Sequence, residues 1–194
     1  MRSVAIIALL ALAACKPPPT DADMARDLPE AAPTFASDPQ PSPETEGASW
    51  AVSPQNAARL IYGIPGDPAL FALECLEAQD EFSTIQVTRL SPADDGAGAL
   101  LALVGNGHMG RIAVDATEVG GRNVWRGQAL ASDLVWEPLA GPRQLTATVP
   151  GAGMVTLNPS ALPSQLIETC RTGEKFEDYQ TELELATDPD QRAQ

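Results

Sequence analysis

Histidine, clustered cations and long apolar runs are what this sequence has least of. Of its 194 residues, one is histidine (His108) and three are cysteine (Cys15, Cys75, Cys170). A histidine-based zinc site would need two or three further ligands at supporting spacing, and none is visible. The sequence has no Cys-x-x-Cys pair, no Gly-x-Ser-x-Gly elbow, no Ser-x-x-Lys pair and no His-Glu-x-x-His helix. Gly105-x-Gly107 does not open a helix after a parallel strand, so it is no nucleotide loop. The N-terminal apolar stretch covers only residues 4–12, far short of the roughly 20 residues that span a bilayer. Lysine and arginine are never clustered, which argues against nucleic acid as a partner, because phosphate binding needs such clusters. No cofactor and no metal is expected, and the chain is read as non-enzymatic.

The net charge is −14 and is unevenly placed. Residues 16–47 and residues 174–194 each carry seven acids and two bases. Residues 48–173 carry twelve acids and seven bases over a much longer stretch, and those seven cations are all arginines. Acidity is therefore concentrated at the two ends, and charge would not hold the chain to an anionic membrane. Residues 16–47 also contain eight prolines, including Pro17-Pro18-Pro19. Few large apolar side chains are present, too few to offset the ordering entropy. The segment 15–47 reads as a disordered linker of polyproline II character. Its reach is on the order of 100 Å at about 3.1 Å per residue. A Pro-rich ligand for an aromatic groove is the alternative. In the tail 174–194, Phe176, Tyr179 and Leu183 have helical spacing, and Pro189 and the polar end predict fraying.

Between these ends, residues 48–173 alternate short β-like runs with turn signals at roughly 8–12-residue spacing, the pattern of an antiparallel sandwich or barrel. Strands are expected at 50–52, 58–62, 70–75, 83–89, 99–104, 111–117, 124–126, 144–149 and 154–157. Thr84-Ile85-Gln86-Val87-Thr88 and Gln144-Leu145-Thr146-Ala147-Thr148-Val149 alternate polar and apolar residues, as half-buried strands do. Asn106-Gly107 and Gly120-Gly121 signal tight hairpins. The last element differs: Ser164 as N-cap, an apolar face of Leu166, Ile167 and Cys170, and a stop at Gly173 predict a short C-terminal helix. The fold class is thus mainly β with one short helix.

Arg2, the apolar stretch and the small residues before Cys15 form a secretory pattern. Leu12-Ala13-Ala14-Cys15 resembles the lipobox of bacterial lipoproteins. The resemblance implies a signal peptide at 1–14, cleavage before Cys15, and acylation of its thiol and amino group with chains such as palmitate. Each buried methylene contributes about 0.8 kcal/mol, so two or three chains hold firmly where one binds reversibly. Lys16, where enterobacterial inner-membrane lipoproteins carry aspartate, points to the outer membrane facing the periplasm. With Cys15 assigned to lipid, Cys75 and Cys170 remain as an even pair in an oxidising envelope, where a disulfide is expected. A redox or metal pair is the alternative.

Other candidates are weaker. His108 sits at an expected hairpin tip, as a general base or as an ordinary exposed turn residue. Asp80-Glu81 and Asp94-Asp95 offer oxygen ligands for calcium, or solvated turns. Trp125-Arg126 and Trp136 are candidates for a binding surface, or for core packing.

Asp133-Leu134, Arg143, Thr148-Val149-Pro150-Gly151, Leu157-Asn158-Pro159-Ser160 and Leu166-Ile167-Glu168-Thr169-Cys170-Arg171 together resemble a group of uncharacterised Gram-negative envelope lipoproteins. Those proteins also pair a lipobox with a Cys-Arg after a short helix near the end. The resemblance supports the cysteine pair and the β-rich fold, and it carries no catalytic residue or ligand. The layout is also distantly similar to periplasmic inhibitor lipoproteins, although the Ser-Gly-x-x-Tyr loop of the lysozyme inhibitors is missing. The expected function is a lipid-anchored β-domain that binds or scaffolds another envelope component, protein or peptidoglycan. The alternative is an inhibitor of lysozyme or secreted proteases acting through residues 105–110 or 120–125.

Overall fold

The computed structural model describes residues 37–76 and 83–173. Cys15 and the signal segment, Asp80-Glu81 and the acidic tail 174–194 lie outside the described residues. Among those described, nine strands form one sheet. They are β1 (Ser49–Ser53), β2 (Asn56–Gly63), β3 (Phe71–Leu76), β4 (Thr84–Pro92), β5 (Gly98–Gly105), β6 (His108–Val119), β7 (Arg122–Leu130), β8 (Leu145–Thr148) and β9 (Met154–Leu157). Their order across the sheet is β1-β2-β3-β4-β7-β6-β5-β8-β9, and every neighbouring pair is antiparallel. The fold is mainly antiparallel β and nearly barrel-shaped, with a short C-terminal helix, α1 (Leu162–Thr172).

The alternating runs place their apolar residues on one face. Ile85 and Val87 of β4, Leu101 and Leu103 of β5, and Ala147 of β8 are all fully buried. With Tyr62, Phe71, Leu73 and Trp136 they form the core. The two tight turns take the conformations their residues favour. Asn106 and Gly107 have φ of 53° and 83°, and Gly120 and Gly121 have 60° and 80°. Two successive positive φ angles define the hairpin turn whose twist matches that of the strands.

The sheet is closed by side chains. The Tyr62 hydroxyl on β2 donates to the Thr156 carbonyl on β9 at 2.9 Å. It also accepts the Asn158 amide N–H at 3.0 Å. The Asn158 side chain donates to the carbonyls of Thr45 and Ala48 at 3.2 and 2.9 Å. Residues 37–47, read from composition as linker, are thus partly built into the domain. Ser37 donates to Asp94, Gln40 N–H to the Gly151 carbonyl, and Met154 N–H to the Ser42 hydroxyl. Proline-rich composition depresses packing, but these contacts use backbone and hydroxyl groups that composition does not reveal.

Helix α1 presents Leu166, Ile167 and Cys170 to β2, β3 and β4. Cys170 is joined to Cys75 at the end of β3, with Cα atoms 5.7 Å apart. Gly173 ends the helix with φ of 69° and returns its N–H to the Thr169 carbonyl. The start differs from expectation. Ser164 is inside the first turn, where its hydroxyl donates to the Ala161 carbonyl, and the cap position is Ala161. The Ser160 hydroxyl accepts the Leu162 N–H instead, and Pro163 fits the first turn because it has no N–H to satisfy.

A 3-10 helix at Leu134–Leu139 has no counterpart in the sequence reading. Asp133 caps it by accepting the Val135 N–H at 3.0 Å. Six residues with Pro138 inside are too few to show a helical period.

Candidate functional site

The outer face of β5, β6, β8 and β9 carries an exposed apolar surface. Leu100, Val104, Met109 and Met154 are 54, 42, 56 and 43 % exposed, four of the six large apolar residues so exposed among the described residues. Register explains why they meet. Val104 pairs with Met109 and with Thr146, which pairs with Thr156. One row along, Ala102 pairs with Arg111 and Thr148, and Thr148 with Met154. Leu100 pairs with Ala113 in the next row. Paired residues on one face are about 5 Å apart and successive rows about 7 Å, so Val104 and Met109 are direct neighbours, Ala102 lies between Val104 and Leu100, and Thr148 lies between Ala102 and Met154. Arg111 is the one charged residue in these rows.

This surface follows from the run Ala99-Leu100-Leu101-Ala102-Leu103-Val104, apolar on both faces. Such a run signals a strand covered on both sides. Leu101 and Leu103 face the core, and no described element covers Leu100 and Val104.

At the tip of the β5–β6 hairpin lies a groove of about 320 Å³ lined by His108, Glu137, Arg143, Asn106 and the Ala140-Gly141-Pro142 segment. His108 and Gly105 are the last pair of the β5–β6 hairpin, and their parity is opposite to that of Val104 and Met109. Asn106 fixes the groove. Its side-chain amide donates to the Pro138 carbonyl at 2.8 Å and to that of Arg143 at 3.4 Å. Its oxygen accepts the Arg143 N–H at 2.9 Å. Gly141 lies so close that any Cβ there would overlap the Asn106 carboxamide. Glu137 is engaged: its carboxylate accepts from Arg171 at 3.1 Å, and Arg171 also donates to the Ala131 carbonyl at 2.8 Å. On the other side of Ala140-Gly141-Pro142 is a second groove, of about 380 Å³, whose wall includes Pro159, Ala161 and Ser164.

The other sequence candidates are dispersed. Trp125 and Trp136 are buried core residues, 7 and 0 % exposed, and form no outer surface. The indole N–H of Trp136 donates to the Leu130 carbonyl at 2.9 Å. Asp94 accepts from both the hydroxyl and the N–H of Ser37, which hold its carboxyl below the usual carboxylate range. No group of three or more His, Cys, Asp or Glu residues placed to hold a metal occurs among the described residues. No helix among them is long and apolar enough to cross a membrane.

One residue the sequence reading passed over lies inside. Arg89 is 4 % exposed and shares the inward parity of Ile85 and Val87. That alternation was the available signal, masked by the charge. Its guanidinium donates to the carbonyls of Leu70 and Ala152, both at 3.0 Å. Burial without a carboxylate partner among the described residues pushes its pKa down to about 10. Arg89 therefore ties the Ala152 turn to the start of β3 from within the core.

No protein-family model, curated protein or solved structure matches this chain.

Proposed function

We propose that the protein is an envelope lipoprotein, anchored through lipid on Cys15 in the outer membrane and facing the periplasm. Its β-domain serves as a non-enzymatic binding or scaffolding module for another envelope protein. The observation that carries the binding role is the apolar outer face of β5, β6, β8 and β9. Leaving Leu100, Val104, Met109 and Met154 in water forfeits burial free energy. The Val104–Met109 pair, with Ala102 and Leu100 in line along β5, favours an interaction face, whereas single exposed residues need no explanation. The Pro-rich stretch upstream of Ser37 supplies the stand-off between membrane and domain.

Crosslinking in intact cells tests the binding role. The wild-type chain is expected to yield a specific adduct that L100D/M109D loses at equal abundance. An identical adduct from the double variant removes this face as the binding surface. Labelled palmitate tests the anchor: C15S is expected to incorporate none and to leave the membrane fraction. Continued incorporation would defeat the lipoprotein reading.

A further inference from the structure

The groove at the tip of the β5–β6 hairpin combines a rigid frame with unused donors. Asn106 clamps Arg143 at both its N–H and its carbonyl, yet the Arg143 guanidinium has no hydrogen bond or ion pair among the described residues. The His108 imidazole, on the same groove, has none either. The groove's one carboxylate, Glu137, is already paired with Arg171. In a chain of net charge −14, the groove thus presents exposed cationic and hydrogen-bond-donating groups that no protein acceptor engages among the described residues. Beyond the Ala140-Gly141-Pro142 ridge, the second groove adds the apolar walls of Pro142, Pro159 and Ala161.

We propose that this groove is a carboxylate-binding site for a peptide. The Arg143 guanidinium holds the carboxylate as a two-pronged donor, since its planar fork matches carboxylate geometry. A ring N–H of His108 donates to the same group. The residues preceding the carboxylate cross the ridge, and an apolar side chain enters the second groove. This rests on the reading of the domain as a binding module and names the chemistry its partner presents. A chain terminus and an acidic side chain present the same group, and the test separates them.

The full mature chain, ¹⁵N-labelled, is titrated with three probes: N-acetyl-Ala-Leu-Ala as free acid, its C-terminal amide, and the amide of N-acetyl-Ala-Glu-Ala. At least one carboxylate peptide is expected to shift the His108 and Arg143 signals saturably, with Kd of about 1 mM or tighter. The neutral amide is expected to shift neither. Binding of the free acid alone assigns a chain terminus, and binding of the glutamate peptide assigns an acidic side chain. R143Q is expected to weaken the shift by about tenfold, the scale of a lost charge-assisted pair, while R111Q leaves it unchanged. No saturable shift from either carboxylate peptide, equal binding of the neutral amide, or undiminished binding by R143Q overturns the proposal. Loss of the crosslinked adduct in L100D/M109D would stand regardless, so failure of the groove and failure of the binding role are distinguishable.

Discussion

Tyr62 on β2, one strand in from the edge, reaches the other edge of the sheet at β9: its phenol accepts the Asn158 N–H at 3.0 Å and donates to the Thr156 carbonyl at 2.9 Å. The same Asn158 reaches back to Thr45 and Ala48 ahead of β1. A single tyrosine and a single asparagine thereby do the work of a strand ladder between β2 and β9.

Removing the phenol oxygen leaves a backbone N–H and a carbonyl without their partner. Y62F is expected to lower stability by about 1–3 kcal/mol, the cost of unsatisfied buried groups, as read by urea unfolding. The pKa of Tyr62 is raised by burial, with the Asn158 hydrogen bond opposing in part. A raised folded-state value favours the neutral phenol. Its stabilising contribution is complete below the ordinary tyrosine range and is lost as pH rises through the raised value. Absorbance titration of Y179F, which retains Tyr62 as its one tyrosine, is expected to show ionisation above that of the unfolded chain. Coincident folded and unfolded titrations would contradict the closure.

The Asp94–Ser37 contact makes docking of residues 37–42 pH-dependent. The Asp94 carboxyl is lowered chiefly by the Ser37 hydroxyl and then by its N–H. A depressed folded-state value gives stability that is present above the ordinary carboxylate range and is lost as pH falls through the depressed value. The Gln40 amide, held by the Gly151 carbonyl, is expected to exchange faster with solvent below that point. D94N should show the faster exchange already at neutral pH. Unchanged Gln40 protection in D94N would show that Asp94 does not hold the segment.

The disulfide links residues 95 apart in sequence. Chain-entropy reasoning assigns closure of a loop of that length roughly 4–5 kcal/mol. C75A/C170A is expected to move the urea midpoint down by a corresponding amount, with α1 losing its covalent link to β3. A shift under about 1 kcal/mol would mean that packing of Leu166 and Ile167 holds the helix by itself.

Much of this architecture is legible in the residues. Alternation at Ile85-Gln86-Val87-Thr88 and Leu145-Thr146-Ala147 sets which side chains face inward. Asn106-Gly107 and Gly120-Gly121 set the hairpins, because few other residues tolerate their positive φ. Cys75 and Cys170, expected as a pair, are one, and Leu166, Ile167 and Cys170 define the buried face of α1.

Tertiary structure decided the rest, because the determining contacts are distant in sequence. Nothing local tells that Tyr62 meets Asn158, that Asp94 fastens Ser37, or that Arg89 reaches Leu70 and Ala152 from inside the core. The run from Ala99 to Val104 states that both faces of β5 are apolar. Only the strand order shows that one face is packed while Leu100 and Val104 join Met109 and Met154 in solvent. His108 read alone is a turn residue. It lines a groove only because Asn106 holds Arg143 against the same hairpin tip.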